Sequence, residues 1–169
     1  WNDYMEAMAS IASRVPYMVG VGNHEGECHS PACILGGRVP ALGNFTAFNA
    51  RFKMPSAESG GSANMWYSFN QGPVHFVNID TENGPWAESF TETYSCVFST
   101  CGGFMGPGGI DQLEWLANDL AEANQHRDVR PWVVVQGHRP LYHGNSFAAK
   151  LASYVEDLFE EHGRWCAAA

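Results

Sequence analysis

Positive charge is scarce in this chain of 169 residues. Its 9 lysines and arginines stand against 18 aspartates and glutamates, which gives a formal net charge of −9 at pH 7 with histidine neutral. Nucleic-acid phosphates and anionic membrane surfaces are held by clusters of lysine and arginine. The composition therefore predicts no nucleic-acid partner and no membrane partner.

Several features that mark large functional classes are missing as well. No apolar run approaches the roughly 20 residues that a membrane-spanning helix needs. The sequence has no GxSxG motif of the kind that exposes a nucleophilic serine, and no glycine-rich phosphate loop of the Walker type. It also has no initiator methionine, since it opens on Trp1-Asn2-Asp3 within a helical pattern. We therefore expect this sequence to be an internal piece of a longer protein.

Cysteine is confined to a few positions. Cys28 and Cys33 lie close together in a stretch that contains glycine and proline, and Cys96 and Cys101 form a second local pair. Local pairs within loops are typical of small disulfides in an oxidising compartment. Zinc is the weaker interpretation, because neither pair has the short CxxC spacing of structural zinc sites. Cys166 is left over from the two pairs.

The sequence also contains a candidate glycosylation site. Asn44-Phe45-Thr46 is an N-glycosylation sequon. Together with the cysteine pairs, it predicts a secreted protein, or one that resides in another oxidising compartment.

Apolar residues are abundant enough for a packed core, at 45% hydrophobic and 13% aromatic. Helical and strand patterns alternate along the chain, and with one hairpin they predict an α/β fold with a mixed sheet. The predicted helices are Asn2–Ser13, a short helix from Asn44 as N-cap through Phe52, the stretch "IDQLEWLANDLAEAN", and Ala148–His162. The predicted strands are Tyr17–Val21, the two arms of the hairpin in "MWYSFNQGPVHFVNID", and "WVVVQ".

Two of these elements carry polar residues whose surroundings can be predicted. In "IDQLEWLANDLAEAN" the apolar residues, among them Leu116 and Leu120, recur at helical spacing. Glu114 and Asp119 are expected on the opposite, solvent-facing side. His75 falls in the middle of a hairpin strand, where a packed role on the sheet is expected and ligation is not.

Polar side chains follow the first predicted strand. The apolar run through Val19 and Val21 ends in Asn23, His24 and Glu25. In open α/β sheets, ligands bind outside the carboxyl ends of the strands. The three side chains are therefore candidates for a functional site.

A second buried strand ends in the same way. "WVVVQ" is followed by Gly137-His138-Arg139-Pro140, with His143 shortly after. Imidazole, amide and carboxylate groups that converge from strand ends suit a metal such as zinc or iron. The plainer interpretation stays open, because Asn is a common turn residue and loop histidines are mostly hydrogen-bonded surface residues.

The motifs at these two strand ends resemble those of a known family. "GNHE" and the VxxH pattern Val135-Gln136-Gly137-His138 resemble the calcineurin-like metallophosphoesterases, and among them the purple acid phosphatases most. The similar stretches occur in the order of the family and run from about Trp1 to Gly163. They are "RVPYMVGVGNHE", "WYSFNQGPVHFVNIDTE", "DQLEWLANDLAEAN" and "RPWVVVQGHRPLY".

The resemblance implies a fold and its extent. Residues 1–169 would form part of one catalytic domain, a metallophosphoesterase-type α/β/β/α sandwich with mixed sheets flanked by helices, incomplete in this chain. The family pattern also needs an upstream DxG aspartate, an upstream GDxxY motif and a downstream GHxH pair. None of these occurs in the sequence. We therefore expect the intact protein to be active and this piece to be inactive alone.

The resemblance also implies a cofactor and a reaction. Family members hold a binuclear centre of Fe(III) with Zn, Mn or Fe(II), and a metal-bound hydroxide hydrolyses a small phosphate monoester. Asn23 and His138 match the ligands of the divalent metal. Two cations would neutralise the ester oxygens, which otherwise repel hydroxide.

Other roles carry over to residues beside the predicted ligands. His24 matches the histidine that contacts the phosphoryl group and is proposed to give a proton to the leaving alcohol. Glu25 matches the acid that would orient His24, or the backbone around it, by a hydrogen bond. Arg139 and His143 lie where contacts to the substrate could form.

Two other functions remain open. The first is another metallophosphoesterase, such as a phosphodiesterase, a nucleotidase or a sphingomyelinase-like enzyme. The second is a non-catalytic secreted module that acts in binding or structure. A tyrosine in an upstream GDxxY motif would favour a purple acid phosphatase over the first alternative. The presence of the missing aspartates and of GHxH in the full reading frame would exclude the second.

Overall fold

A computed structural model describes residues 1–22, 25, 45–82, 86, 111–144, 146–162 and 165–168. Helices and strands alternate in it much as the sequence predicts. The helices are α1 (Asn2–Ala12), α2 (Thr46–Arg51), α3 (Gln112–Asn124) and α4 (Ser146–His162). The strands are β1 (Tyr67–Gln71), β2 (Val74–Asn78), β3 (Trp132–Gln136) and β4 (Trp165–Ala168).

The described strands form one mixed sheet in the order β1-β2-β3-β4. β1 and β2 pair antiparallel, whereas β2–β3 and β3–β4 pair parallel. The predicted hairpin is confirmed: Gln71 lies opposite Val74, and Gly72 in the connecting turn has φ +56°, a conformation that glycine adopts without strain. The predicted mixed α/β fold is therefore confirmed, while the second sheet of a sandwich remains an expectation.

Two helices cover the sheet and form the core with it. The apolar stripes of α3 and α4 face Val77 of β2 and the inward residues of β3. The buried members of these stripes include Leu116 and Leu120 in α3, and Leu151 and Val155 in α4. The helix α1 has no buried residue. Its N-cap residue, Trp1, contacts the body, with the Trp1 and Phe52 ring centroids 5.8 Å apart.

The predicted strand over Tyr17–Val21 is wrong. Val21 is fully buried and Val19 is partly buried, so the apolar pattern predicted the burial correctly although it predicted the wrong secondary structure. The backbone groups of Val19 are satisfied by side chains and not by a neighbouring strand. Its amide donates to the Met54 sulfur at 3.5 Å, and its carbonyl accepts from the Tyr67 hydroxyl at 2.9 Å. Burial raises the pKa of Tyr67, which keeps this hydroxyl protonated as a donor.

The short helix α2 begins one residue later than predicted. Its N-cap is Phe45, which has a left-handed φ of 59° and offers no capping side chain. The predicted N-cap, Asn44, lies outside the described residues. The sequence signal for a cap was the residue type alone, whereas the helix begins where the backbone leaves the left-handed region.

Asp119 corrects the predicted solvent-facing side of α3. Its carboxylate accepts from His75 Nε2 at 2.8 Å and from the Ser68 hydroxyl at 2.5 Å. The other ring nitrogen of His75 lies 2.8 Å from Asn70 Oδ1. Asp119 therefore links α3 to the hairpin, and the packed role predicted for His75 is confirmed. Glu114 is exposed as expected.

Removal of the Asp119 carboxylate should destabilise the fold. Asp119→Ala would leave the buried His75 and Ser68 groups without their acceptor, at a cost of about 1–3 kcal/mol in the free energy of unfolding. Glu114→Ala is the matched control on the exposed side of the same helix and should change it by about 0.5 kcal/mol or less. Urea denaturation followed by circular dichroism measures both. Equal effects of the two substitutions would contradict the assigned contacts.

Candidate functional site

The carboxyl ends of β2 and β3 lie side by side, because the two strands are parallel. Asn78 at the end of β2 pairs with Gln136 at the end of β3, and the Gln136 amide donates to the Asn78 side-chain oxygen at 3.1 Å. The next backbone hydrogen bond runs from Ile79 N to Gln136 O at 2.9 Å. The segments that follow the two strands therefore leave the sheet together, and we call this region the carboxyl edge.

The segment after β3 is held to the segment after β2 by an ion pair between partly buried Arg139 and buried Glu82. Arg139 Nε donates to Glu82 at 2.9 Å and Arg139 Nη2 donates at 2.8 Å, in a two-pronged arrangement. The backbone N–H of Arg139 also donates to the Thr81 hydroxyl at 3.1 Å. Glu82 is 6% exposed and Thr81 is fully buried. Both side-chain and backbone groups of Arg139 thus fix the residue that precedes it, His138.

The segment after β2 is fixed in turn by the start of α3. The Gln112 side chain brackets Asp80, since its oxygen accepts from Asp80 N at 2.6 Å and its nitrogen donates to Asp80 O at 2.9 Å. The Asp80 carboxylate accepts from Glu82 N at 2.8 Å. The Asp111 side chain caps α3 by accepting from Leu113 N at 2.8 Å. The anchor of the carboxyl edge is therefore continuous with a capped helix.

Gly22 brings the first predicted strand end to the same place. Its amide donates to Glu25 Oε2 at 3.0 Å. A Cβ atom on Gly22 would lie 3.1 Å from Glu25 Oε2 and 3.1 Å from the ring of His138, so a side chain would crowd both groups. Glu25 and His138 thus lie against Gly22, and the chain continues from Gly22 directly into Asn23 and His24.

Gly137 permits the close contact between the two segments. A Cβ atom there would lie 2.7 Å from Thr81 Cγ2 and 3.1 Å from Ile79 Cγ1. Distances under 3.0 Å require a shift of the neighbouring atoms. Any larger residue would push the segment that carries His138 away from Thr81.

The other predicted residues divide into those that the structure describes and those that it does not. His143 is exposed in the segment after Arg139, and Cys166 falls in β4. The remaining predicted positions lie outside the described residues: Asn23, His24, Cys28, Cys33, Asn44, Cys96 and Cys101. The roles predicted for all site residues stay predictions.

Sequence reasoning missed the acidic segment Asp80-Thr81-Glu82. The sequence signal was present, because these polar residues follow "HFVNI" as directly as Gly137-His138 follows "WVVVQ". The rule about strand ends applies to β2 as much as to β3. Asp80, Thr81 and Glu82 hold the segments of the carboxyl edge in position.

The donor groups of the carboxyl edge fit part of a metal site. Within the described ranges, no group of three or more His, Cys, Asp or Glu side chains is placed to hold a metal ion. His138 is one imidazole donor at this edge, and Asn23, the next residue after Gly22, would add an amide oxygen. One imidazole and one amide oxygen fit part of the coordination of zinc or iron.

None of the described helices is long and apolar enough to cross a membrane.

Several acid phosphatases are similar to this chain in sequence. An acid phosphatase from Aspergillus ficuum is 33% identical over 203 residues, covering 95% of this chain and 32% of that protein. Acid phosphatase A from Cryphonectria parasitica is 35% identical over 183 residues, covering 94% of this chain and 34% of that protein. Human acid phosphatase type 7 is 32% identical over 143 residues, covering 85% and 25%. The chain thus spans between a quarter and about a third of these relatives.

A solved structure and a family profile also match this chain. The purple acid phosphatase from yellow lupin (Lupinus luteus) seeds superposes with a TM-score of 0.59 at 21% identity, covering 96% of this chain and 25% of that one. At this identity, the match confirms the fold. The profile of the calcineurin-like phosphoesterases matches residues 1–164, which confirms the resemblance drawn from the motifs. The chain belongs to the calcineurin-like phosphoesterase family.

Proposed function

We propose that the protein containing these residues hydrolyses small phosphate monoesters as an acid phosphatase, and that this chain supplies part of its active site. Membership of the phosphoesterase family and the similarity to acid phosphatases support the reaction class. The observation that carries the proposal is the placement of His138. It lies against Gly22, the residue before Asn23-His24, and is held between two anchored neighbours.

The proposed cofactor is a binuclear centre of Fe(III) with Zn, Mn or Fe(II). His138 and Asn23 would hold the divalent metal, since imidazole nitrogen and amide oxygen are suitable ligands for it. When bound, the metals supply positive charge for the ester oxygens and lower the pKa of water. The rest of the coordination would come from other parts of the protein, because the sequence contains no DxG, GDxxY or GHxH motif.

The residues beside the predicted ligands have distinct proposed roles. The ring N–H of His24 gives its proton to the leaving alcohol, and Glu25 orients that ring. The contact between Glu25 Oε2 and the Gly22 amide supports this role, because it holds the carboxylate at the turn that leads into His24. His143, which is exposed, is proposed as a substrate contact. Arg139 donates to buried Glu82, so its proposed role shifts from contacting substrate to positioning His138.

The proposed location is outside the cell or in another oxidising compartment. The sequon at Asn44 would carry a glycan, and the pairs Cys28–Cys33 and Cys96–Cys101 would form disulfides. The glycan and disulfides are supported by the sequence alone.

Loss of the His138 imidazole should abolish the proposed activity. His138→Ala, made in the longest protein that contains these residues, should lower kcat/KM for para-nitrophenyl phosphate by about 100-fold or more and reduce the bound divalent metal. His126→Ala, in the exposed turn after α3, is the control and should leave both unchanged. Metal content comes from mass spectrometry of the purified protein. Full activity in His138→Ala would contradict the assignment, and an inactive, metal-free parent protein would favour a binding module.

The positioning role of Arg139 and Glu82 predicts a non-additive double mutant. Glu82→Gln and Arg139→Lys should each lower kcat/KM by about 10–100-fold, because both remove the two-pronged contact that holds the His138 segment. The double variant should be little worse than either single variant, since all three lose one shared contact. Metal content should change less than in His138→Ala. Multiplicative losses would show that Arg139 acts independently of Glu82, as a substrate contact would.

A further inference from the structure

Two cavities flank the segment that carries His138, and one of them lies between that segment and α4. His138, Gly137 and Gln136 line a cavity of about 400 Å³ beside the stretch from Tyr17 to Gly20. Gly137 and Arg139 also line a separate cavity of about 270 Å³, which His138 does not line. We call the separate one the α4 cavity. It adjoins the proposed active site without sharing His138.

The floor of the α4 cavity is apolar. Side chains from the sheet and from α4 form it. The buried ones are Ile79, Val135, Leu151 and Val155, and Phe159 is partly buried. Leu141, partly buried in the segment after β3, closes one side. Pockets for drug-sized ligands measure roughly 300–1,000 Å³. The α4 cavity is slightly smaller, so it suits a molecule with one ring or a short aliphatic body.

Among the described residues that line the α4 cavity, acidic side chains outnumber basic ones. Glu156 and Glu160, one helical turn apart on α4, both line it. The Tyr142 hydroxyl donates to Glu156 at 3.0 Å, and this hydrogen bond is the main reason that the pKa of Tyr142 is raised. Arg139 is the cation in the lining, but Glu82 offsets its charge through the two-pronged pair. The rim therefore favours a positively charged group over a negatively charged one.

We propose that the α4 cavity is a binding site for a small molecule with an apolar body and a cationic head, with a primary arylalkylamine as the simplest member. The ring would lie on the floor among Val135, Leu151 and Val155, and the ammonium group would meet the carboxylates of Glu156 and Glu160. This site is distinct from the proposed phosphoester site, and its ligand need not be a phosphate ester.

Three probes of similar shape test the proposal. Binding of 2-phenylethylamine, 2-phenylethanol and phenylacetate to the 169-residue chain is measured by calorimetry at low salt, where charge interactions are least screened. The expected order of affinity is amine, then alcohol, then carboxylate. The alcohol reports the apolar floor alone, while the two ions report the sign of the rim. Equal affinities, or a preference for phenylacetate, would overturn the proposal.

Paired charge removals on one helix locate the site. The double variant Glu156→Gln/Glu160→Gln should bind the amine about two- to fivefold more weakly for each carboxylate removed. Its affinity for the alcohol should stay unchanged. Asp157→Asn with Glu161→Gln removes the same charge from exposed positions of α4 that do not line the cavity. This control should leave the affinity for the amine nearly unchanged. Equal losses in both pairs would show a general charge effect and overturn the proposal.

A filled cavity provides the last test. Leu141→Trp places a larger side chain at the partly buried wall and should abolish binding of both the amine and the alcohol. Circular dichroism checks that each variant keeps its helices. Unchanged binding to a folded Leu141→Trp variant would place the probes elsewhere and overturn the proposal, as would the absence of binding by all three probes at millimolar concentration.

Discussion

The ion pair between Arg139 and Glu82 is the contact on which the carboxyl edge depends. It joins the segments that follow two neighbouring parallel strands, and Glu82 is 6% exposed. A buried ion pair adds little net stability, because both groups lose their hydration. It does select one geometry, since removal of either partner leaves a buried charge uncompensated. Gly137 and Gly22 complete that geometry by letting backbone approach His138 and its segment without a side chain between.

The carboxyl edge separates two surroundings with different chemistry. On the side of Gly22, His138 and Glu25 lie against the same glycine. The chain continues there into Asn23 and His24, the residues proposed to meet a metal and a phosphoryl group. On the side of α4, the same segment covers an apolar floor with an acidic rim. A phosphate ester carries negative charge, so the acidic rim disfavours it there. One anchored segment would thus serve the two proposed sites, which select opposite charges.

The sequence predicted the fold better than it predicted contacts. Helix periodicity and the hairpin signal were sufficient because α3, α4 and β1–β2 bury continuous apolar faces. The pattern failed over Tyr17–Val21, because apolar residues look alike in a strand and in a buried irregular segment. There the side chains of Met54 and Tyr67, and not a neighbouring strand, bond the Val19 backbone. Asp119 was misplaced for a related reason: its buried partners come from a hairpin about 45 residues away in sequence. Motifs found His138, while the anchoring role of Glu82 depends on a tertiary contact.

The most direct test of the account is a crystal structure of the metal-loaded protein that contains these residues, with anomalous diffraction at the zinc and iron edges. The account predicts an anomalous peak about 2.0–2.1 Å from a ring nitrogen of His138, with the Asn23 side-chain oxygen as a further ligand and the Arg139–Glu82 pair intact. A metal bound away from the carboxyl edge, with the His138 ring in contact with protein groups alone, would contradict it.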